Sequence, residues 1–256
     1  MRILRARSYC IAGKDVSLPA AGLETAFVCG GSELGEVQDE KSATISIAPD
    51  RIEVLPLDSF DAACSMSNPL VLNFANAHYP GGGFKLGASS QEESLCRRSS
   101  LYLSLSSVGA AKMYRCNNLH FNPLESNWMV LSPLVCVFRD SNGELLCKPY
   151  SVSVISVPAP NLRGLAFFAS SRRVRESLIE KIRIMLTEAY RHQYREIVLG
   201  AWGCGAFGNS PEMVAECFQL VLIEYGLVRN FDKVVFAIKE KSGGRNFAHF
   251  RKVFKG

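Results

Sequence analysis

The chain has 256 residues, of which 48% are hydrophobic and 21% are charged, and its formal net charge is +5. This is the composition of a globular protein that forms one large domain, or one domain with an added lobe. The charge is too small and too dispersed to favour a nucleic-acid binder, and no run reaches the roughly 18 apolar residues of a membrane span.

Residues 1–69 are predicted to form an N-terminal accessory lobe that packs on the rest of the chain. Two β-prone runs on either side of Gly13 predict a hairpin over residues 9–18. Residues 53–57 are typical of a short strand, and Asp58 is the predicted N-cap of a helix that ends near residue 66.

From residue 70 onwards, apolar strands alternate with amphipathic helices. Ser210 and Pro211 are a typical cap and first-turn residue for one of these helices. The predicted strands are 70–74, 128–138, 150–157, 196–200 and 234–238, and the predicted helices are 92–105, 172–192 and 211–226. This alternation predicts an α/β core over residues 70–256, a three-layer α/β/α sandwich with a mixed, largely parallel sheet.

A first glycine-rich loop follows the strand at 70–74. It contains Gly81-Gly82-Gly83 and leads to the adjacent carboxylates Glu92 and Glu93. Glycines let the backbone approach a ligand closely, loop N–H groups bind anions, and carboxylates transfer protons. The two acids are also typical of an ordinary solvated first helical turn, but the glycine triplet favours a site.

A second glycine-rich loop, residues 199–209, joins a predicted strand to the helix at 211. Loops at the carboxyl ends of strands form ligand crevices in such sheets, and the helix start adds N–H groups that suit a diphosphate. Taken alone, the loop is equally typical of a tight turn. The two glycine loops together favour a ligand.

Metal ligation is not predicted. The nine cysteines are irregularly spaced without a Cys-x-x-Cys pair, and the four histidines lack paired ligand spacing. We therefore expect reduced thiols and a cytoplasmic protein, or a nuclear one in a eukaryote.

The two loops carry a family resemblance. Gly81-Gly82-Gly83, followed after seven residues by Gln91-Glu92-Glu93, resembles the signature of microbial-type poly(ADP-ribose) glycohydrolases. The run from Gly203 to Gly208 resembles the diphosphate loop of that family, and the run from Asn73 to Asn76 resembles its strand-end motif. The resemblance implies a macrodomain-like fold, ADP-ribose recognition and hydrolysis of ribose–ribose O-glycosidic bonds, with no cofactor.

The resemblance also implies roles for individual residues. Glu93 is the expected catalytic acid/base, while Glu92 and Asn76 hold the adjacent ribose and Phe207 packs on a sugar. The expected substrate-binding residues are Asn76, Gly81, Gly82, Gly83, Gln91, Gly203, Cys204, Gly205, Ala206, Phe207, Gly208 and Asn209. Adjacent side chains at a helix start point in different directions, so a single-acid mechanism is expected rather than a flanking carboxylate pair.

The predicted function is therefore hydrolysis of poly(ADP-ribose), mainly from chain ends, with release of ADP-ribose. The expected partner is the polymer or an ADP-ribosylated protein, and the enzyme is expected to be a monomer that is not bound to membranes. Two alternatives use the same scaffold. One is a mono-ADP-ribosyl hydrolase, and the other is a non-catalytic ADP-ribose reader. The adjacent glutamates argue against the reader, which needs no proton donor.

Overall fold

The structure is a computed structural model that describes residues 2–19, 25–30, 51–240 and 244–255. Its centre is a seven-stranded sheet with the order β3-β6-β7-β5-β8-β9-β4, and a separate two-stranded sheet pairs β1 with β2. The strands are β1 Ser8–Ile11, β2 Lys14–Ser17, β3 Phe27–Gly30, β4 Ile52–Leu55, β5 Pro69–Ala75, β6 Trp128–Arg139, β7 Leu145–Pro158, β8 Glu196–Leu199 and β9 Lys233–Ala237.

The main sheet is mixed but largely parallel. Strands β7, β5, β8, β9 and β4 pair in parallel, and β3 and β6 add two antiparallel pairings at one side. Parallel strands that are covered on both faces read as near-continuous apolar runs, as β5 does. The predicted strands of the core are thereby confirmed, with β7 starting earlier than expected.

Helices cover both faces of this sheet. They are α1 Arg2–Ala6, α2 Ser59–Ala63, α3 Gln91–Arg98, α4 Leu101–Leu105, α5 Ala111–Leu119, α6 Ser171–Arg191, α7 Pro211–Gln219 and α8 Asn246–Lys255. A π-helical turn, Leu220–Glu224, continues α7. None of the described helices is both long and apolar enough to cross a membrane.

Alternate residues of each central strand enter two separate cores. Leu70 and Leu72 of β5 pack with α6, α7 and α8, whereas Val71 packs on the opposite face with α2, α3, α4 and α5. This two-residue period follows from strand geometry. The predicted three-layer sandwich is confirmed.

The segment predicted to be an accessory lobe contributes directly to the main sheet. Strand β4 pairs in parallel with β9, and β3 pairs with β6 at the other edge. The helix α1 and the β1–β2 hairpin stand outside that sheet and pack on Cys136 and Phe138 of β6. A division at residue 69 stays a prediction, and the pairing of β3 and β4 argues against a separable lobe.

One predicted helix is wrong in its extent. The expected helix over 92–105 is divided into α3 and α4, because Ser99 takes an extended conformation and bridges to Val137. Its Oγ donates to the Leu95 carbonyl and accepts from the Leu101 N–H, so one side chain ends the first helix and starts the next. Helix α1, strand β3 and helices α5 and α8 were not predicted.

Candidate active site

A cavity of about 520 Å³ opens at the carboxyl ends of β4, β5, β8 and β9, and we call it the reaction cavity. Both predicted loops reach it. The predicted residues among its lining are Asn76, Gln91, Glu92, Glu93, Gly203, Gly205, Ala206 and Phe207. The two carboxylates and the second glycine loop therefore share one ligand-sized space, at the edge of the sheet where such folds bind ligands.

The crevice arises because β5 and β8 separate. Their register ends at Val71 opposite Val198, and beyond it the amide group of Gln91 takes the place of a strand peptide. Its Nε2 donates to the Leu72 carbonyl at 2.8 Å, and its Oε1 accepts from the Phe74 N–H at 2.9 Å. These bonds satisfy strand groups that would otherwise be unpaired and fix the start of α3.

The polar atoms of Gln91 are thus used within the protein, since Nε2 also donates to Ser59 Oγ at 3.1 Å. Its assignment as a substrate ligand stays a prediction that this geometry disfavours. In the structure, Gln91 holds α3 against the end of β5 and thereby positions Glu92 and Glu93.

Glu92 is buried, with 3% of its surface exposed. Its Oε2 accepts from the Asn76 N–H at 2.8 Å, and its Oε1 accepts from Asn73 Nδ2 at 3.2 Å. Burial raises the pKa of Glu92 to about 8, against the lowering effect of these hydrogen bonds and with a smaller contribution from the charge of Glu93. A pKa of about 8 favours the protonated form of Glu92 at neutral pH.

Glu93 is also buried but is held differently. Its Oε1 accepts from the Gly83 N–H at 3.1 Å, whereas its Oε2 is buried without a hydrogen-bond partner among the described residues. An unpaired buried oxygen is costly, so such atoms are uncommon and often functional. Both carboxyl oxygens of Glu92 accept hydrogen bonds within the protein, whereas Oε2 of Glu93 accepts none among the described residues.

The three glycines of the first loop are not among the described lining residues of the reaction cavity. Gly82 instead packs on the carboxylates, since a Cβ there would lie 2.4 Å from Glu93 Oε1 and 3.1 Å from Glu92 Oε2. Gly81 packs against Cys96, Phe84 and Tyr102. Their expected contact with the substrate stays a prediction, and in the structure this loop supports the two carboxyl groups.

Asn76 lines the cavity and also shapes its own turn. Its Oδ1 accepts from the N–H groups of His78 and Tyr79 at 2.8 and 2.9 Å. Asn76 therefore caps this turn, but the cap uses only the carbonyl end of its side chain. The Nδ2 group has no hydrogen bond among the described residues and is available as a donor.

The second loop has several backbone N–H groups that form no hydrogen bond among the described residues. The N–H groups of Gly203, Gly205, Ala206 and Phe207 have no hydrogen bond among the described residues, and all four residues line the cavity. Successive backbone N–H groups in a loop can form an anion-binding concavity. The arrangement suits a phosphate or diphosphate.

Cys204, Gly208 and Asn209 shape this loop and do not belong to the described lining. The buried Asn209 side chain donates to the carbonyls of Pro160 and Gly203, at 2.8 and 3.2 Å. Burial raises the pKa of the Cys204 thiol to about 12, which leaves it unreactive. Ligand contact by these three residues stays a prediction.

Several lining residues were not predicted. They lie at or after strand ends, in turns, or in α2, α3 and α8, and they are Leu57, Asp58, Ser59, Phe74, Ser89, Ser90, Ser94, Ser141, Ala201, Ile238, Lys239, Glu240 and Asn246. Asp58 was predicted only as a cap, which is confirmed because it accepts from the Phe60 N–H at 3.0 Å. Its position just after a strand of the sheet is the sequence signal that could have placed Asp58 in the cavity.

Comparison with known proteins gives one consistent result. The family model described as the catalytic domain of microbial-type poly(ADP-ribose) glycohydrolase (PARG) matches residues 1–140. The chain is similar to the structure of PARG from Thermomonospora curvata, with 34% identity over 98% of this chain and 95% of that chain, and a TM-score of 0.88. It is also similar to PARG from Deinococcus radiodurans in complex with ADP-ribose, with 33% identity, coverage of 94% and 98%, and a TM-score of 0.81.

The Thermomonospora curvata enzyme bound to the inhibitor ADP-HPD matches with 32% identity, the same coverage of 98% and 95%, and a TM-score of 0.84. No curated protein matches the chain in sequence.

Proposed function

Because the chain belongs to the family of microbial-type poly(ADP-ribose) glycohydrolases, we propose that it hydrolyses ribose–ribose O-glycosidic bonds of poly(ADP-ribose) in the reaction cavity. It is a glycoside hydrolase of that family. The observation that carries the proposal is the meeting of two buried carboxyl groups and a set of free backbone N–H groups in one cavity.

In this mechanism Glu93 transfers the proton. It protonates the departing ribose oxygen, the bond between that oxygen and the anomeric carbon breaks, and the electron pair stays on the oxygen. A water then adds to the anomeric carbon and returns a proton to Glu93. The uncommitted Oε2 of Glu93 supports this role, because Gly83 holds only the other oxygen.

Glu92 orients the ribose. A protonated Glu92 adds no negative charge beside Glu93 and beside a bound diphosphate, so the raised pKa lets the two carboxyl groups lie close together. Asn76 contributes its free Nδ2 to the same sugar. The backbone donors of Gly203, Gly205 and their neighbours bind the diphosphate.

We also propose the finer features predicted from the sequence. These are a preference for chain ends with release of ADP-ribose, a monomeric enzyme and a cytoplasmic location. Each has its own measurement: the product pattern, the mass in solution and the distribution of a tagged chain.

The test is incubation of the wild type and Glu93→Gln with poly(ADP-ribose), followed by chromatography of the products. We expect release of ADP-ribose by the wild type and loss of turnover by at least about 10³-fold in the variant, because Gln cannot transfer the proton. The variant should still bind ADP-ribose in a calorimetric titration. Glu224→Gln, which removes an exposed carboxylate away from the cavity, is the matched control and should keep full turnover.

The products separate the alternatives. Oligomers would indicate endo-hydrolysis, and turnover only of singly modified protein would indicate a mono-ADP-ribosyl hydrolase. Binding of ADP-ribose by a wild type that hydrolyses nothing would indicate a reader. Normal turnover by a folded Glu93→Gln variant would contradict the assignment of the proton donor.

A further inference from the structure

A second cavity, of about 630 Å³, lies beside the reaction cavity. Ser94 and Ser141 line both cavities, so the two spaces adjoin. Ser94 is the residue directly after Glu93, and the boundary between the cavities therefore lies next to the proposed proton donor. A substrate that extends past the bond being cleaved would enter this second space.

The ionic groups that line the second cavity are all guanidinium groups. They belong to Arg2, Arg97, Arg98 and Arg139, and no carboxylate is among the described lining residues. We call this space the arginine pocket. Its size lies within the range of about 300–1,000 Å³ that is typical of small-ligand sites.

Two of these arginines carry charge that is not neutralised by an ion pair among the described residues. Arg97 donates to the Phe84 carbonyl at 3.3 Å, and Arg139 donates to the Gly143 carbonyl at 2.6 Å. A carbonyl fixes a guanidinium group without cancelling its charge, and the remaining N–H groups stay available. Arg98 differs, because it is buried and paired with Asp58 and Asp61.

We infer that the arginine pocket binds the ADP-ribose unit on the far side of the bond that is cleaved. The inference rests on the proposed function. Each unit of poly(ADP-ribose) carries a diphosphate, and Arg97 and Arg139 present planar donor groups that match phosphate oxygens. The terminal unit occupies the reaction cavity and the next unit lies along α3, from Ser94 to Arg97.

The position of the pocket favours this polymer over a nucleic acid. It adjoins the reaction cavity rather than forming an open basic face, and the chain as a whole carries a net charge of only +5. A single-stranded nucleic acid would need an extended basic groove that tracks its backbone.

The experiment measures polymer binding separately from turnover. In a Glu93→Gln background, the affinity for size-fractionated poly(ADP-ribose) and for ADP-ribose is compared with and without Arg97→Gln and Arg139→Gln. We expect the two substitutions together to weaken polymer binding by about tenfold and to reduce its salt dependence, because two phosphate contacts are lost. The affinity for ADP-ribose should not change, since one unit fills only the reaction cavity.

The matched control removes two charges elsewhere. Arg173→Gln with Arg175→Gln lowers the net charge equally on the exposed face of α6 and should leave polymer binding unchanged. Arg97→Lys with Arg139→Lys keeps the charge and should restore part of the binding. Unchanged affinity for ADP-ribose also verifies that each variant is folded.

Three results would overturn the inference. One is equal polymer affinity with and without Arg97→Gln and Arg139→Gln. Another is an equal loss in the α6 control, which would show a general charge effect. The third is binding of single-stranded DNA, with the same number of phosphates, that is as tight as binding of the polymer and depends equally on Arg97 and Arg139. Turnover of polymer by the wild type tests the proposed function independently of all three.

Discussion

At the scale of single residues, the site depends on how closely Gly82 approaches the two carboxyl groups. The φ angle of Gly82 is +55°, and a Cβ atom would lie 2.4 Å from Glu93 Oε1. Glycine is therefore required twice, once for the backbone conformation and once for space. From the sequence we predicted a close approach of this loop to the ligand, and the structure shows a close approach to the side chains of Glu92 and Glu93.

We expect Gly82→Ala to lower kcat by at least about 100-fold, because a displaced Glu93 loses its alignment with the glycosidic oxygen. The matched control is Gly87→Ala. Gly87 has a φ angle of +89°, but a Cβ there meets nothing within 4 Å. Both variants should lose about 1–2 kcal/mol of stability from backbone strain, and only Gly82→Ala should lose turnover. Equal turnover in the two variants would show that the steric contact with Glu93 has no role.

The proton on Glu92 makes stability depend on pH. Its pKa is about 8 in the folded protein against 4.5 without the fold, so the native state keeps a proton that the unfolded chain releases between these values. The contribution of Glu92 therefore falls as pH rises through that window, by on the order of 1 kcal/mol per pH unit, and is constant outside it.

We expect Glu92→Gln to remove this dependence. The difference in free energy of unfolding between variant and wild type should grow in favour of the variant from pH 5 to pH 8, as measured by urea denaturation. Gln fits the site, because the unpaired Oδ1 of Asn73 can accept its N–H after an amide flip. Taking the difference cancels other titrating groups, including Lys181, whose pKa burial lowers to about 7 and whose effect has the opposite sign. A difference that is constant with pH would contradict the raised pKa.

At the scale of elements, the short helix α3 is held at both ends. Gln91 ties its start to β5, and Arg98 ties its end to Asp58, the N-cap of α2, and to Asp61 within α2. The sequence predicted a helix here from its spacing but not the break at Ser99. That break depends on pairing with Val137 of β6, a partner that no local pattern encodes. The position of Glu93 was predictable, while the groups that fix it were not.

Arg98 and Arg97 are neighbours with opposite environments, which allows a direct test. Arg98 is 4% exposed and forms two ion pairs, whereas Arg97 is exposed and bonded to one carbonyl. We expect Arg98→Met to lower the free energy of unfolding by about 3 kcal/mol, because Asp58 and Asp61 lose their partner. Arg97→Met should stay within about 0.5 kcal/mol. Similar urea denaturation midpoints for the two variants would refute the structural role of Arg98.

At the scale of the whole molecule, the reaction cavity is built by strand order. Residues as distant in sequence as Leu57 and Asn246 line it, because the carboxyl ends of β4, β5, β8 and β9 meet at one edge of the sheet. The individual strands could be predicted from apolar runs. Their order could not, since the pairing of β4 with β9 joins Ile52 to Val234 and leaves no periodic signal. The domain boundary was predicted at residue 69 because the sequence does not show that β4, which precedes it, pairs with β9.

This topology makes the N-terminal segment part of the core, and removing it tests the point. Deletion of residues 1–69 removes β4, the strand that pairs with β9. The backbone of β9 then becomes an unpaired sheet edge at the buried residues Val234 and Phe236. It also removes the Leu57 and Asp58 walls of the cavity. We expect this deletion to abolish cooperative thermal unfolding and to yield aggregated protein.

Deletion of residues 1–19 is the matched control, because it removes α1 and the β1–β2 hairpin but no strand of the main sheet. It uncovers Phe138 and should cost about 1.5–3 kcal/mol for that side chain, with a lower but still cooperative melting transition. The two deletions therefore distinguish α1 and the β1–β2 hairpin, which cover the main sheet, from β3 and β4, which belong to it. A stable, monomeric chain of residues 70–256 that still hydrolyses poly(ADP-ribose) would instead establish a separable accessory lobe.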